Sequence, residues 1–327
     1  MKISVILCTF NRCQSLAATL QSLAGSALPD AVDWEVLVVD NNSTDLTRQV
    51  LDEFCRRYPG RFRYLFEPQP GKSFALNNGV RQARGEILAF LDDDVTVERT
   101  WLQNLTAPLN GKEWAGVGGR TLLAGVYCAP RWLAMKGPYS LGGILAAQFD
   151  LGDKARELDR APYGVNMAFR KEMFGKYGLF RLDLGPSPNR EIPRPNEDTE
   201  FGRRLMAGGE RLWYEPSAIV YHPVPQDRVY KGYFLRWWFD LGRAFVREWE
   251  SGPAVMGIPR PYFNVVKICT IVMAERLVRW LLSINPKQRF YNRCSLWMTA
   301  GQIREYWCLA HGAQGTTSES AAPRLES

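Results

Sequence analysis

Residues 85 to 95 read G-E-I-L-A-F-L-D-D-D-V, and this stretch limits the fold more than any other. Ile87 to Leu91 is an uninterrupted apolar run of strand length, the pattern of a strand buried on both faces of a parallel sheet. It stops at three carboxylates, Asp92, Asp93 and Asp94. In open α/β sheets ligands bind just beyond the carboxyl ends of strands, so acidic groups at that point mark a binding site. Clustered like charges repel, and a divalent cation, which prefers hard oxygen ligands, relieves that repulsion most simply. The competing reading is an acidic turn that caps the next helix, and the tripeptide alone does not separate the two.

The preceding chain supplies the sheet. Lys2 to Phe10 and Trp34 to Val39 are buried-type strands, and Arg61 to Phe66 is a shorter third. Helical spacing of leucines at 16, 20 and 23, a helix from about Ser43 or Thr44 to Tyr58, and another over Ser73 to Arg84 alternate with them, with Gly85 suited to a C′ position. Strand and helix alternating at roughly 35-residue spacing predict right-handed crossovers and a mostly parallel sheet flanked by helices. The strand ends carry Thr9, Asn11 and Arg12, then Asp40, then the aspartates, all on the ligand-binding edge. A nucleotide is the natural occupant, although neither G-x-G-x-x-G nor G-x-x-x-x-G-K-[ST] occurs, which speaks against dinucleotide and P-loop binding. Asp40 can hydrogen-bond a base or ribose hydroxyl, or simply cap a helix.

Further along, Trp101 to Leu109 reads as a helix, Gly116 to Leu123 as a strand, Tyr127 to Leu158 as a loop region over the sheet, and Tyr163 to Phe169 as a strand. Leu184 to Pro195 holds four prolines with Arg190 and Arg194, and a long irregular segment of this kind is usually functional. It leads into Asn196-Glu197-Asp198, which opens a helix; first-turn carboxylates suit the helix dipole whether or not they do chemistry. Leu212 to His222 is a last strand, ending on the only histidine before residue 311.

Taken in order, S-V-I-L-C-T-F-N-R at the start, V-V-D-N-N-S-T-D at 38 to 45, G-K-S-F-A-L-N-N-G at 71 to 79, F-L-D-D-D-V at 90 to 95, G-V-N-M-A-F-R at 164 to 170 and N-E-D-T-E-F at 196 to 201 resemble family 2 glycosyltransferases over about residues 1 to 225. The resemblance implies a GT-A fold and inverting transfer from a nucleotide sugar, with UDP the common carrier. It places Thr9, Phe10 and Arg12 by the nucleotide, Asp40 at the base and Lys72 near the diphosphate. It assigns Asp92 to the ribose or metal and Asp94 to a bound Mn²⁺ or Mg²⁺, leaves Asp93 with the weakest claim, and makes His222 a third metal ligand. Asp198 matches the catalytic base beside Glu197, and Asn166 and Asn196 are expected to line the sugar or acceptor pocket. Inversion needs one base on the acceptor hydroxyl and an electrophile on the leaving group, and no Ser-His-Asp or Cys-His arrangement suggests a nucleophile instead.

Charge divides the chain. Residues 226 to 311 carry 13 Lys/Arg against 6 Asp/Glu, while the rest balances at 28 against 28, and the same quarter holds six of eleven tryptophans. Three helices are expected there, Tyr233 to Trp249, Tyr262 to Ile284 and Gln288 to Leu309. The second is long enough to span a bilayer, but Lys267, Glu275, Arg276 and Arg279 would each cost about 2.5 to 3.5 kcal/mol near its centre. Aromatic-basic helices suit the surface of an anionic membrane, or else pack as a bundle. The expected organisation is a catalytic domain over 1–225, a helical extension over 226–311 and a disordered tail over 312–327. Seven cysteines without a C-x-x-C pair and no recognisable signal peptide point to a cytoplasmic protein, peripheral on the inner membrane face. The expected partners are a nucleotide-sugar donor and a glycan or lipid-linked acceptor; basic residues interleaved with Trp and Leu beside a neutral N-terminal domain argue against nucleic acid. Two further readings stay open, a sugar-phosphate nucleotidyltransferase and an inactive nucleotide-sugar-binding scaffold.

Overall fold

The computed structural model describes residues 2–28, 32–189, 192, 195–249 and 260–312. Arg190 and Arg194, and the expected tail apart from Gly312, lie outside the described residues. The parallel half of the sheet forms from β1 (Lys2–Thr9), α1 (Cys13–Ala24), β2 (Asp33–Asp40), α2 (Thr47–Arg57), β3 (Phe62–Phe66), α3 (Lys72–Gln82) and β4 (Ile87–Leu91). The chain continues through β5 (Thr96–Val97), α4 (Trp101–Thr106), β6 (Gly116–Leu123), α5 (Gly142–Ala146), β7 (Arg156–Glu157), β8 (Asn166–Arg170), α6 (Glu172–Tyr177), α7 (Glu197–Ala207) and β9 (Leu212–His222). The extension comprises α8 (Lys231–Trp249), α9 (Arg260–Lys267), a π-helical turn (Ile268–Val272), α10 (Met273–Leu281) and α11 (Pro286–Gly312).

The sheet order is β3-β2-β1-β4-β8-β6-β9-β5, with β7 paired to β9. β1, β2, β3 and β4 run parallel, whereas β8 enters antiparallel to both β4 and β6. Alternation along β1 feeds two cores. Ile3, Val5 and Leu7 pack with Leu16, Leu20, Leu51 and Trp101 on one face; Ile6 packs with Leu76, Val80, Phe174 and Phe201 on the other. Leu16, Leu20 and Leu23 are buried as their spacing requires.

Two local expectations change. Neither Ser43 nor Thr44 caps α2, whose N-cap position is Leu46; Asp45 holds the turn before it, accepting from Thr47 N and also from Cys13 N at the start of α1. Burial would raise the Asp45 carboxyl, but these bonds and the Thr47 hydroxyl hold it down at about 2. Gly85 is no helix cap, because α3 has already ended at Gln82; a Cβ there would overlap the Ser4 backbone nitrogen, so glycine serves close approach to β1. The 127–158 region contains α5 and β7, and its Leu133, Leu141 and Leu145 pack under α8 and α11 against Phe234 and Phe290.

Candidate active site

The strand ends converge as the parallel half dictates. Thr9 is the register partner of Asp40, and Asp40 of Phe66, so β1, β2 and β3 finish level. Asp40 is buried, accepting from Ser43 N at 2.9 Å and from the Tyr64 hydroxyl at 3.4 Å. Phe10 is 54% exposed and Phe66 48%, leaving aromatic faces on this edge. Asn41, which sequence reasoning passed over, ties the edge together: its amide donates to the carbonyls of Glu67 and Gln69 and its oxygen accepts from Gly71 N. Its signal was the doubled Asn in V-V-D-N-N, legible only once the P-Q-P-G turn is known to fold back over it.

The three aspartates after β4 have different surroundings, although two of them share Arg12. Asp92 accepts from Lys72 Nζ at 2.9 Å, and Lys72 also lies 3.3 Å from Glu197. Asp93 is buried and pairs with Arg12 at 3.2 Å. Asp94 pairs with Arg12 as well and lies 3.6 Å from His222 Nε2. The turn holding them is fixed by Thr19, whose hydroxyl donates to Val95 O at 2.7 Å and accepts from Val95 N at 3.1 Å. β5 then pairs with Tyr221 and Val220, which is how the end of β9 comes to carry His222 beside Asp94.

Asp92, Asp94 and His222 each offer one ligand atom, all within 4.8 Å of one another. His222 Nδ1 lies 2.6 Å from Pro223 O. A carbonyl can only accept, so Nδ1 carries a proton and Nε2 is the nitrogen that faces the carboxylates, the second-shell arrangement common at metal-binding histidines. Two carboxylate oxygens and one imidazole nitrogen are a donor set that fits a divalent cation.

The start of α7 closes the site. Asp198 accepts from Gly164 N, which lies just before β8, and from Thr199 N at 2.7 Å. Glu197 is buried, and burial raises its carboxyl to about 7 against the opposing pull of Lys72. Burial likewise raises Asp93 to about 7. For Lys72 burial works against the charge, but Asp92 and Glu197 outweigh it and raise its pKa well above the ordinary value.

Two expected pocket residues do not face the cleft. Asn166 is buried with its amide fully used, donating to Arg120 O and Ala218 O and accepting from Trp101 Nε1 at 2.8 Å, so it cross-ties β6, β8, β9 and α4. Asn196 turns away toward α8, donating to Glu248 at 2.7 Å. Sequence could not foresee either, since every one of these partners but Thr199, which also donates to Asn196, lies more than 45 residues away. The contact of Arg12 with two aspartates was missed for the same reason.

Comparison with known proteins agrees with this layout. The family model described as Glycosyl transferase family 2 matches residues 4–178, more than half of the chain. The succinoglycan biosynthesis protein ExoM of Rhizobium meliloti is 29% identical over 248 residues, 76% of this chain and 75% of the relative. A glucosyl-dolichyl phosphate glucuronosyltransferase of Haloferax volcanii is 28% identical over 239 residues, 70% of this chain and 71% of the relative. Among solved structures, the mannosyltransferase PcManGT from Pyrobaculum calidifontis, in complex with GDP-Man and Mn²⁺, superposes with a TM-score of 0.62 at 19% identity, covering 93% of this chain and 87% of that one. That neighbour has the GT-A fold, and the superposition over nearly the whole of both chains gives the same fold here. Glu197, Asp198 and His222 fall beyond the matched family residues and rest on geometry. The chain belongs to glycosyl transferase family 2 and is a glycosyltransferase of the GT-A fold.

Proposed function

We propose that this glycosyltransferase moves a sugar, with inversion, from a nucleotide-sugar donor to a hydroxyl of a lipid-linked or polysaccharide acceptor. The observation that carries the reading is the convergence of ligand atoms from Asp92, Asp94 and His222 just beyond β4, with Lys72 joining Asp92 to Glu197 at the start of α7. Polysaccharide and dolichyl-phosphate chemistry in the names of two relatives supports the acceptor class. Phe10 and Phe66 offer faces to a base, Asp40 an acceptor to its edge, and Arg12 and Lys72 cations to a diphosphate.

Asp92, Asp94 and His222 would hold the cation, and the nitrogen donor favours Mn²⁺ over Mg²⁺, which prefers oxygen ligands throughout. Such an ion supplies a Lewis acid for charge growing on the departing nucleoside diphosphate. Asp198 takes the proton from the acceptor hydroxyl, its carboxylate oriented by two backbone N–H groups. Glu197 is enclosed and faces Lys72, so its part is to hold that ammonium in place, although its raised pKa would also suit a base. We assign residues 1–225 to the catalytic unit and 226–311 to an extension that meets a lipid surface peripherally on the cytoplasmic side. Among the described residues no helix is long and apolar enough to cross a membrane.

The test is transfer from a panel of UDP- and GDP-sugars with Mn²⁺, comparing wild type with Asp94→Ala and Asp198→Asn. Asp198→Asn should lower transfer by about 10²- to 10⁴-fold with donor binding retained, and Asp94→Ala should weaken donor binding itself. Full transfer by Asp198→Asn would remove the base assignment. Activity undiminished in chelator would remove the cation. Formation of a nucleotide sugar from a sugar phosphate would instead favour nucleotidyl transfer.

A further inference from the structure

The last turn of α8 reaches into the catalytic edge. Arg247 Nη1 donates to Asp183 O at 3.0 Å, and Arg181 Nη2 returns a bond to Arg247 O at 3.2 Å. The next residue, Glu248, accepts from Asn196 Nδ2 at 2.7 Å through one oxygen and from Arg203 Nη2 at 2.6 Å through the other. Consecutive residues of one helix therefore hold both ends of the segment that joins α6 to α7. Between those ends, Leu184 O accepts from Ser73 Oγ at 2.7 Å and Pro186 O from Lys72 N at 2.8 Å, so the same segment seats the first turn of α3.

Asn196 directly precedes Glu197 and Asp198, and its backbone is left-handed at φ 83°. A non-glycine residue keeps that conformation only where its surroundings hold it. The Asn196 side chain is tied to Glu248 through its nitrogen and to the Thr199 hydroxyl through its oxygen, and the Glu248 side chain is 5% exposed, so water does not substitute for it. Arg203 lies nearly two turns further along α7, and Glu248 thus ties one helix to α8 at two heights.

We propose that Glu248 is a positioning residue for the transfer reaction, contributed by the helical extension and acting through Asn196 on the start of α7. The proposal rests on Asp198 being the base. Misplacement by an ångström at a reacting group costs on the order of 10²-fold in rate, so releasing this tie has a catalytic reading separate from stability.

The experiment uses the full chain with Glu248→Ala, which removes the acceptor of the Asn196 amide, Asn196→Gly and the double variant. Glycine accepts the left-handed conformation at no steric cost, so Asn196→Gly removes the side-chain bonds to Glu248 and Thr199 without straining the backbone. Each single variant should lower kcat roughly 10- to 100-fold with donor KM within about threefold. The double variant should be no worse than the weaker single one, because both changes cut one contact. Wild-type kcat in either single variant, multiplicative losses in the double, or a fall in kcat that merely follows the folded fraction overturns the proposal. Asp198→Asn is measured alongside: full transfer there removes the base assignment whatever Glu248 does, whereas a large loss there with normal Glu248→Ala removes the positioning role alone.

Discussion

At the scale of single residues, the D-D-D tripeptide is three different environments. Asp92 faces Lys72, Asp94 faces His222, and Asp93 turns inward at 6% exposure toward Arg12. Burial lifts Asp93 from 3.8 to about 7, with Arg12 pulling the other way. Between those pH values the folded protein holds a proton that the unfolded chain has released, so lower pH favours folding there and that share is lost as pH rises toward 7. Above 7 both states are ionised and the buried charge is a full cost. Asp93→Asn removes it: in chelated protein, the variant's melting temperature relative to wild type should be higher at pH 8 than at pH 4 by about 2 to 4 °C. An equal difference at both pH values would show that Asp93 ionises normally. The site's position was legible in sequence because an apolar run ending in acids is a local signal. The sorting of its members was not, because Arg12, Lys72 and His222 approach from other strands and helices. Asn166 makes the same point in reverse, since a polar residue in a matched motif belongs to the sheet interior once Arg120 O and Ala218 O are placed beside it.

Among the elements, the βα units were legible almost throughout, and the extension was legible as helices but not as surfaces. An aromatic stripe reads the same whether it meets lipid or protein. In α8 it meets protein: Phe234 and Trp238 are buried against the 127–148 region and α11, with Trp238 edge-on to Tyr291. Arg243 and Arg247, basic positions that suited phosphate headgroups, converge instead on Glu305 of α11. The two helices cross where Gly242 meets the Met298 carbonyl and Gly301 the Phe239 carbonyl, too close for any Cβ. Gly242→Ala must therefore part α8 from α11, an overpacking that costs about 1 to 3 kcal/mol. A lower melting temperature should follow, with kcat falling beyond the folded fraction because α8 carries Glu248. Gly175→Ala in α6, which meets nothing within 4 Å, is the control and should be neutral or slightly stabilising. If Gly242→Ala melts and turns over like wild type, the close crossing does not exist in solution.

For the whole molecule, the charge asymmetry acquires a location. The outer face of α9 and α10 leaves Val266, Ile271, Leu277, Val278 and Leu281 exposed, with Leu282 at 75% and Ile284 at 95% just beyond. Arg276 turns inward to Ser295 O and Thr299, whereas Lys267 is exposed next to the exposed Val266, and its stem can lie along lipid with the ammonium at the headgroups. Residues 260–309 hold eight Lys/Arg against Glu275 and Glu305, a positive balance that a second copy would double and anionic headgroups would complement. Burying a leucine in lipid is worth about 1.5 to 3 kcal/mol. Leu281→Ser with Leu282→Ser should therefore weaken binding to phosphatidylglycerol-containing vesicles roughly 100-fold, while transfer to a water-soluble acceptor stays at the wild-type rate because both side chains are exposed and not packed into the catalytic core. Equal flotation of wild type with purely zwitterionic vesicles would remove the electrostatic part of the argument. A wild-type dimer in vesicle-free solution that the double substitution turns into a monomer would remove the lipid altogether and assign the face to a second copy of the chain.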